Sequence, residues 1–261
     1  MMIKAGFIGM GNMAQAIVKG LKNTAAADTM EIYAYAPNQQ KLRENAEKMD
    51  FVPCENINEL VENSQVVIMA CKPYQVEEVL GQIKEQLKGK VLLSVANNWD
   101  FAAYEPLVDE STRVQYIMPN TPAQVGEGVF LLEKDNSLRG DERTHLKVVL
   151  EDMGTVIELP AYQIPAACAA TGCGPAFVDL MMEGLGDGLV KNGIPRAEAY
   201  KMVAQMVAGA AKLMLSTGEH PGVLKDAVCS PGGTTIKGVI ALEHAGVRAA
   251  FVDAVDAACG K

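Results

Sequence analysis

The sequence predicts an α/β chain: a doubly wound sheet over residues 1–160, followed by an all-helical half over residues 161–261. Three observations carry this expectation. Short apolar runs alternate with amphipathic ones through the first 160 residues, the pattern of strands joined by crossover helices. The first run ends in a glycine-rich turn, Gly9-x-Gly11-x-x-Ala14, and a helical pattern follows at once. Beyond Pro160 the character changes: no convincing strand follows Pro165, and Ala, Gly and Met dominate.

Taken in order, Ile3–Ile8 reads as a strand, and Ala16, Ile17, Gly20 and Leu21 mark the helix after it. Glu31–Ala36 is a second strand and Gln39–Met49 a polar helix. Val66–Ala70 and Val91–Val95 are continuous apolar runs, as strands covered on both faces require. Helices are expected at Val76–Leu87 and Leu138–Met153, and further strands at Gln115–Ile117, Val129–Leu132 and Val156–Leu159. The alternation predicts a parallel sheet.

In the second half Ala199, Val203, Met206, Ala210 and Leu213 recur at alternating steps of four and three, the seam of a tightly packed helix. Pro195 stands near its start and Gly218 just past its end. The methionines at 181, 182, 202, 206 and 214 read as core or subunit interface. About a hundred residues of such small side chains bury too little apolar surface alone, so this half is expected to pair with a second copy.

A 49% hydrophobic and 21% charged composition fits a core-forming globular chain. The net charge of −9, with no Lys/Arg run longer than two, argues against a nucleic-acid surface. No segment reads as an uninterrupted membrane span. The first strand begins at residue 3, leaving no room for a signal peptide, so a cytoplasmic location is expected. Six scattered cysteines without a C-x-x-C read as small buried thiols in a reducing compartment. His145, His220 and His244 lie far apart without acidic or thiol partners at ligand spacing, so no metal site is expected.

Chemistry concentrates at the two ends. Gly9 permits the tight turn of a dinucleotide fingerprint, Gly11 lets a pyrophosphate approach the backbone, and Ala14 lets helix and strand pack closely. Near the C-terminus, Ser230-Pro231-Gly232-Gly233-Thr234-Thr235-Ile236 reads as a turn opening a helix, with Ile236, Val239 and Ile240 at helical spacing. The Thr pair can cap that helix, and bare first-turn amides beside hydroxyls suit a small carboxylate. The second strand ends Ala34-Tyr35-Ala36-Pro37-Asn38, with no acid for ribose hydroxyls. Asn38 and Asn56, with Lys41 or Arg43 behind them, could instead receive a 2′-phosphate, which favours NADPH, with NADH as the alternative; otherwise the two cations are only a solvated helix face.

With these blocks in view, the chain resembles the pyrroline-5-carboxylate reductases over essentially its whole length. The matching blocks are Gly6–Ala14, Ala70-Cys71-Lys72-Pro73, Met118-Pro119-Asn120-Thr121-Pro122, Gly172–Ala176, and Leu224-Lys225-Asp226 through Ser230–Ile236 to Leu242-Glu243. The resemblance implies an enzyme that reduces the C=N bond of a cyclic imino acid to L-proline with NADPH, on a Rossmann-type domain (1–160) and a helical dimerisation and substrate domain (161–261). It implies that Ile8, Gly9, Met10, Gly11, Asn12 and Met13 hold the pyrophosphate. Ala36, Asn38 and Asn56 would lie at the adenosine end, and Ala70, Cys71, Lys72, Pro73 and Thr121 at the nicotinamide half. Substrate contacts would come from Ser230, Gly232, Gly233, Thr234, Thr171, Cys173 and Asn120, with the Thr235 hydroxyl at the ring nitrogen. It also implies a homodimer, in some members assembled into a ring of dimers.

Some positions depart from that family's usual pattern: Thr171-Gly172-Cys173-Gly174 for Ser-Gly-Ser-Gly, Ser94–Asn98 for Ser-x-Ala-Ala-Gly, and Tyr116 for an Arg. The mechanism has an independent footing. From Gly172 through Gly188 the first long helix of the second half has no Lys, Arg, His or Tyr to protonate an alkoxide. A cyclic imine needs none, because it can bind protonated and accept hydride directly. Two rivals remain: a reductase of the same fold acting on another cyclic imine such as pyrroline-2-carboxylate, and a non-catalytic nucleotide sensor.

Overall fold

The computed structural model describes residues 2–260, which divide into two compact units, Met1–Gly172 and Cys173–Lys261. The first is built on eight strands, β1 (Ile3–Ile8), β2 (Met30–Tyr35), β3 (Val52–Pro53), β4 (Val66–Met69), β5 (Val91–Ser94), β6 (Arg113–Met118), β7 (Gly128–Glu133) and β8 (Gly154–Leu159). They form one sheet in the order β3-β2-β1-β4-β5-β6-β7-β8. Its helices are α1 (Asn12–Lys22), α2 (Gln39–Met49), α3 (Ile57–Asn63), α4 (Val76–Ile83), α5 (Phe101–Tyr104), α6 (Glu142–Glu151) and α7 (Ile164–Thr171).

The chain reverses its direction of travel across the sheet at β1, from which β2 and β4 depart to opposite sides. That switch point opens a crevice beyond the carboxyl ends of β1 and β4, where doubly wound sheets take their ligands. On one face α1 buries Ala14, Ile17 and Val18 against Phe7, Ile32 and Ala34. On the other, Leu60, Val61, Val76, Leu80 and Ile83 cover Ile8, Val67, Met69 and Leu92. Each fully covered aliphatic side chain contributes about 1.5–3 kcal/mol, which explains the unbroken apolar runs of the central strands.

The sheet departs from the all-parallel expectation at one pair: β6 and β7 are antiparallel, with Ile117 opposite Leu132. Only residues 119–127 connect them, including a 3₁₀ turn at Thr121–Val125. That is too short for the crossover a parallel pair needs. From β1 through β6 and again from β7 to β8 the pairing is parallel. Strand β3 and helices α3 and α5 have no counterpart in the sequence reading. Strand β3 is two residues at the sheet edge, where Pro53 cannot extend the ladder. Helix α5 is a single turn, too short to leave a periodicity.

The second unit holds α8 (Gly174–Lys191), α9 (Arg196–Thr217), α10 (Pro221–Ala227), α11 (Thr234–His244) and α12 (Val247–Ala258). Pro195 is the N-cap of α9 and Gly218 its left-handed C-cap, at φ 67°. Among the described residues of this unit only Gly186, Ala199 and Val203 are buried. The seam read from the sequence is therefore split: Ala199 and Val203 are covered, whereas Met206 and Leu213 are 52% and 51% exposed. An isolated helical unit with so little covered surface lacks a core of its own.

The membrane expectation meets one exception, by length and composition only. The helical stretch Ala161–Lys191, with an 18-residue window of mean hydropathy 1.3, is long and apolar enough by composition to cross a bilayer. Asp179, Glu183 and Asp187 nonetheless mark one face of α8 at four-residue steps. The thiol expectation is also only partly met: all six cysteines are free, but Cys54 alone is buried and Cys173 is exposed.

Candidate active site

At the crevice, Gly9 follows β1 with φ 101°, and its N–H donates to the Tyr35 carbonyl at 2.8 Å. A β-carbon there would stand 2.6 Å from the Ala70 carbonyl oxygen, so the β1 turn and the end of β4 touch backbone to backbone. Gly11 is the N-cap of α1 without a side-chain cap. A β-carbon on Gly11 would meet nothing within 4 Å, and no side chain caps the first-turn amides of α1. A dinucleotide pyrophosphate fits such a cradle: it needs a close backbone and uncapped N–H groups. Ile8 and Met10 are buried supports beneath the turn, whereas Asn12 is exposed and Met13 half-buried.

Ala36, Asn38 and Asn56, the residues expected at the adenosine end, follow the neighbouring strands β2 and β3. Gln39 Nε2 ties the Ala36 and Cys54 carbonyls together at 3.1 and 3.2 Å. Asn38 Oδ1 accepts from the Lys41 N–H at 3.0 Å and caps α2, and Asn56 Oδ1 accepts from the Glu59 N–H at 2.9 Å and caps α3. Both carbonyl oxygens are thus engaged at helix starts, and neither amide N–H₂ group has a partner among the described hydrogen bonds. Lys41 and Arg43 are exposed on the first turns of α2.

Ala70, Cys71, Lys72 and Pro73 follow β4, with Lys72 exposed and the other three half-buried. Burial pushes the Cys71 thiol up to about 11, so it is protonated at neutral pH and no nucleophile. Beside this loop runs the one leaving β5. There Asn98 has φ 63°, the left-handed region that favours Gly and, after it, Asn. Asn98, at the family's usual glycine position, thus takes a conformation open to glycine. The buried phenol of Tyr116 faces the Asn98 backbone, and burial raises its ionisation well above normal.

Thr121 is exposed at the start of its 3₁₀ turn. Asn120 is 5% exposed and engaged at both ends of its amide: Nδ2 donates to the Thr171 carbonyl at 3.0 Å, and Oδ1 accepts from the Val129 N–H at 2.8 Å. The Thr171 hydroxyl donates to the Ala167 carbonyl at 3.0 Å. These bonds brace α7 against β7.

In the helical unit, Gly233 is the N-cap of α11, and Gly232 before it has φ 68°. The Gly233 N–H donates to the Ser230 carbonyl at 3.0 Å, and any β-carbon on Gly233 would strike the Ser230 hydroxyl. Here the capping expectation fails: Thr234 and Thr235 are the first two helical residues, not the cap. A glycine N-cap contributes no side chain, so the first-turn amides and both Thr hydroxyls remain exposed. Cys173, exposed, precedes α8. In α8 only the final residue, Lys191, is basic, and before it the helix carries no Lys, Arg, His or Tyr.

Two residues beside the crevice were passed over in the sequence. The Trp99 indole N–H donates to the Pro73 carbonyl at 3.0 Å, and Glu133, 1% exposed, accepts from the Phe101 N–H at 2.8 Å. Only the isolated Trp after two Asn residues could have signalled the first. Glu133 ends an apolar strand and left no signal.

Comparison with known proteins supplies the lineage. Residues 161–261 match the family model for pyrroline-5-carboxylate reductase dimerisation, and residues 4–98 match that for NADP oxidoreductase, coenzyme F420-dependent. The chain is 38% identical to pyrroline-5-carboxylate reductase of Treponema pallidum over 98% of both chains. It is also 38% identical to pyrroline-5-carboxylate reductase 3 of Danio rerio, over 98% of this chain and 89% of that protein. The crystal structure of Plasmodium falciparum pyrroline carboxylate reductase with NADP bound superposes with a TM-score of 0.88 at 29% identity, covering 99% of this chain and 96% of that one. A cradle of uncapped amides at Gly11, a glycine-capped α11 and kinship over the full length converge: the chain belongs to the pyrroline-5-carboxylate reductase family.

Proposed function

We propose that this protein reduces 1-pyrroline-5-carboxylate to L-proline, transferring hydride from NADPH to the C=N bond as the last step of proline biosynthesis. The observation that carries the reading is the Ser230–Thr235 turn, where a glycine N-cap leaves helix amides and hydroxyls unspent. Such a turn suits a small carboxylate. The Gly233 and Thr234 amides and the Ser230 hydroxyl hold the substrate carboxylate, and the Thr235 hydroxyl orients the ring nitrogen. NADPH supplies the hydride; Gly9–Met13 hold its pyrophosphate, and the Ala70–Pro73 segment flanks its nicotinamide half.

Protonated imine enters as the electrophile, so the enzyme's work is positioning and charge stabilisation rather than proton donation. The absence of any Lys, Arg, His or Tyr in α8 before Lys191 supports this. We infer two domains, residues 1–160 and 161–261, a homodimer able to assemble into a ring of dimers, and a cytoplasmic location. The exposed apolar surface of α9, including Leu215 at 82%, supports association.

The test is product analysis. NADPH deuterated at the transferred position and pyrroline-5-carboxylate should give proline carrying one deuteron at the former imine carbon. Unlabelled proline would overturn direct transfer, and no proline would overturn the assignment.

A further inference from the structure

Strands β4 and β5 are parallel neighbours, with Met69 opposite Ser94, so the loops leaving their carboxyl ends run side by side. Backbone pairing carries on to Val95, whose N–H donates to the Met69 carbonyl at 3.0 Å. After that the β5 loop turns sharply: the Trp99 N–H returns to the Ala96 carbonyl at 3.2 Å, and Asn98 takes φ 63°. This turn aims the indole back at the β4 loop. Its Nε1–H meets the Pro73 carbonyl at 3.0 Å, a side-chain clasp between the two loops.

The clasp is itself anchored. The Trp99 ring lies 5.3 Å from that of Tyr104, at 55°, and Tyr104 is completely buried. Asp100 Oδ1 caps the single turn of α5 by accepting from the Ala103 N–H at 3.0 Å. The Phe101 N–H is held by Glu133 at 2.8 Å, which ties the turn to β7. A rigid line thus runs from β7 through α5 to the carbonyl of Pro73.

We infer that Trp99 is a positioning residue for hydride transfer, fixing the Lys72-Pro73 segment against the nicotinamide half of NADPH. The inference rests on the reading that Ala70–Pro73 flank that half. Without the clasp the loop after Met69 keeps its start but loses its only side-chain tie to the neighbouring loop among the described hydrogen bonds of Pro73. A loop free by even an ångström places hydride donor and acceptor poorly.

Trp99→Phe keeps an aromatic ring on Tyr104 and removes the donor. Its KM for NADPH should rise roughly 3–10-fold, the range one neutral hydrogen bond supplies, and kcat should fall, with the imine KM within twofold and the melting temperature lowered by no more than about 5 °C. A fallen melting temperature with unaltered KM and kcat would make Trp99 merely structural and overturn the inference. A second readout uses the unmodified enzyme: Trp99 is the only tryptophan, so one indole N–H resonance reports the clasp. NADP⁺ should shift it, whereas 2′-phospho-ADP-ribose, which lacks nicotinamide, should leave it in place. An unmoved resonance with bound NADP⁺ would overturn the inference. Lys72→Ala separates the two failures: altered NADPH binding there with a silent Trp99 sinks only the clasp. Unchanged NADPH binding in both variants sinks the reading of the Ala70–Pro73 loop and the inference with it.

Discussion

Gly9 and Ala70 meet backbone to backbone: a β-carbon on Gly9 would stand 2.6 Å from the Ala70 carbonyl oxygen. The contact joins the first βα turn to the β4 loop, which are the two walls of the crevice at the sheet's switch point. A left-handed φ of 101° adds a second reason for glycine, independent of the contact.

Gly9→Ala should therefore cost about 1–3 kcal/mol in stability from strain alone, and it should widen the crevice. Chemical denaturation and an NADPH titration check this. The expected result is a lower midpoint together with NADPH affinity weakened at least tenfold.

Thr235 lies at the second position of α11, behind a glycine cap, so its hydroxyl is not needed to start the helix. Thr235→Ala should change stability by less than about 0.5 kcal/mol, as surface substitutions do. If the hydroxyl orients the imine nitrogen, kcat should fall by roughly 10–100-fold, near the lower end of what one stabilising donor supplies. Full turnover in a normally folded variant would remove Thr235 from the mechanism.

Asn38 caps α2 through Oδ1, and Asp is an equally good cap. Asn38→Asp should leave folding intact while its charge repels a 2′-phosphate and welcomes ribose hydroxyls. Steady-state kinetics should show the NADPH KM raised by roughly tenfold or more and the NADH KM unchanged or lower, since two negative charges a few ångströms apart repel by a kcal/mol or more.

Glu133 carries the pH dependence. Burial, with lesser contributions from Asp100 and Asp135, pushes it up to about 7, against 4.5 in an unfolded chain; the Phe101 N–H opposes the rise. Between those values the folded protein holds a proton that the unfolded one has released. The associated stability is therefore full below pH 4.5 and is lost as pH rises through 7, on the order of 3 kcal/mol in all. Glu133→Gln never ionises and keeps an acceptor for Phe101. Its melting temperature minus that of the parent should grow between pH 5 and pH 8 by roughly 3–10 °C. A constant difference would contradict the account.

Much of the nucleotide-binding half was legible because its signals are local. Buried parallel strands need unbroken apolar runs, so β1 and α2 fall where the sequence puts them, and β2, β4 and β5 fall within a residue at either end. What stayed hidden was either too short or non-local. The two residues of β3 and the single turn of α5 carry no period. The antiparallel β6–β7 pair depends on the length of the linker between them rather than on either strand's pattern. At the candidate site the glycines were readable, since Gly9, Gly232 and Gly233 answer to backbone demands. Asn38, Asn56 and Asn120 hold structural bonds that only coordinates reveal, and the Trp99–Pro73 clasp joins residues 26 positions apart.

The most direct test of the central claim follows the loss of NADPH absorbance with pyrroline-5-carboxylate, beside matched runs with pyrroline-2-carboxylate and with NADH. The account predicts that the first pair turns over fastest, with proline as product. Faster turnover of pyrroline-2-carboxylate would contradict it and mean that the residues at Cys173, Asn97-Asn98 and Tyr116 have retargeted the site; NADPH binding without turnover of either imine would mean that the chain has kept the fold and lost the reaction.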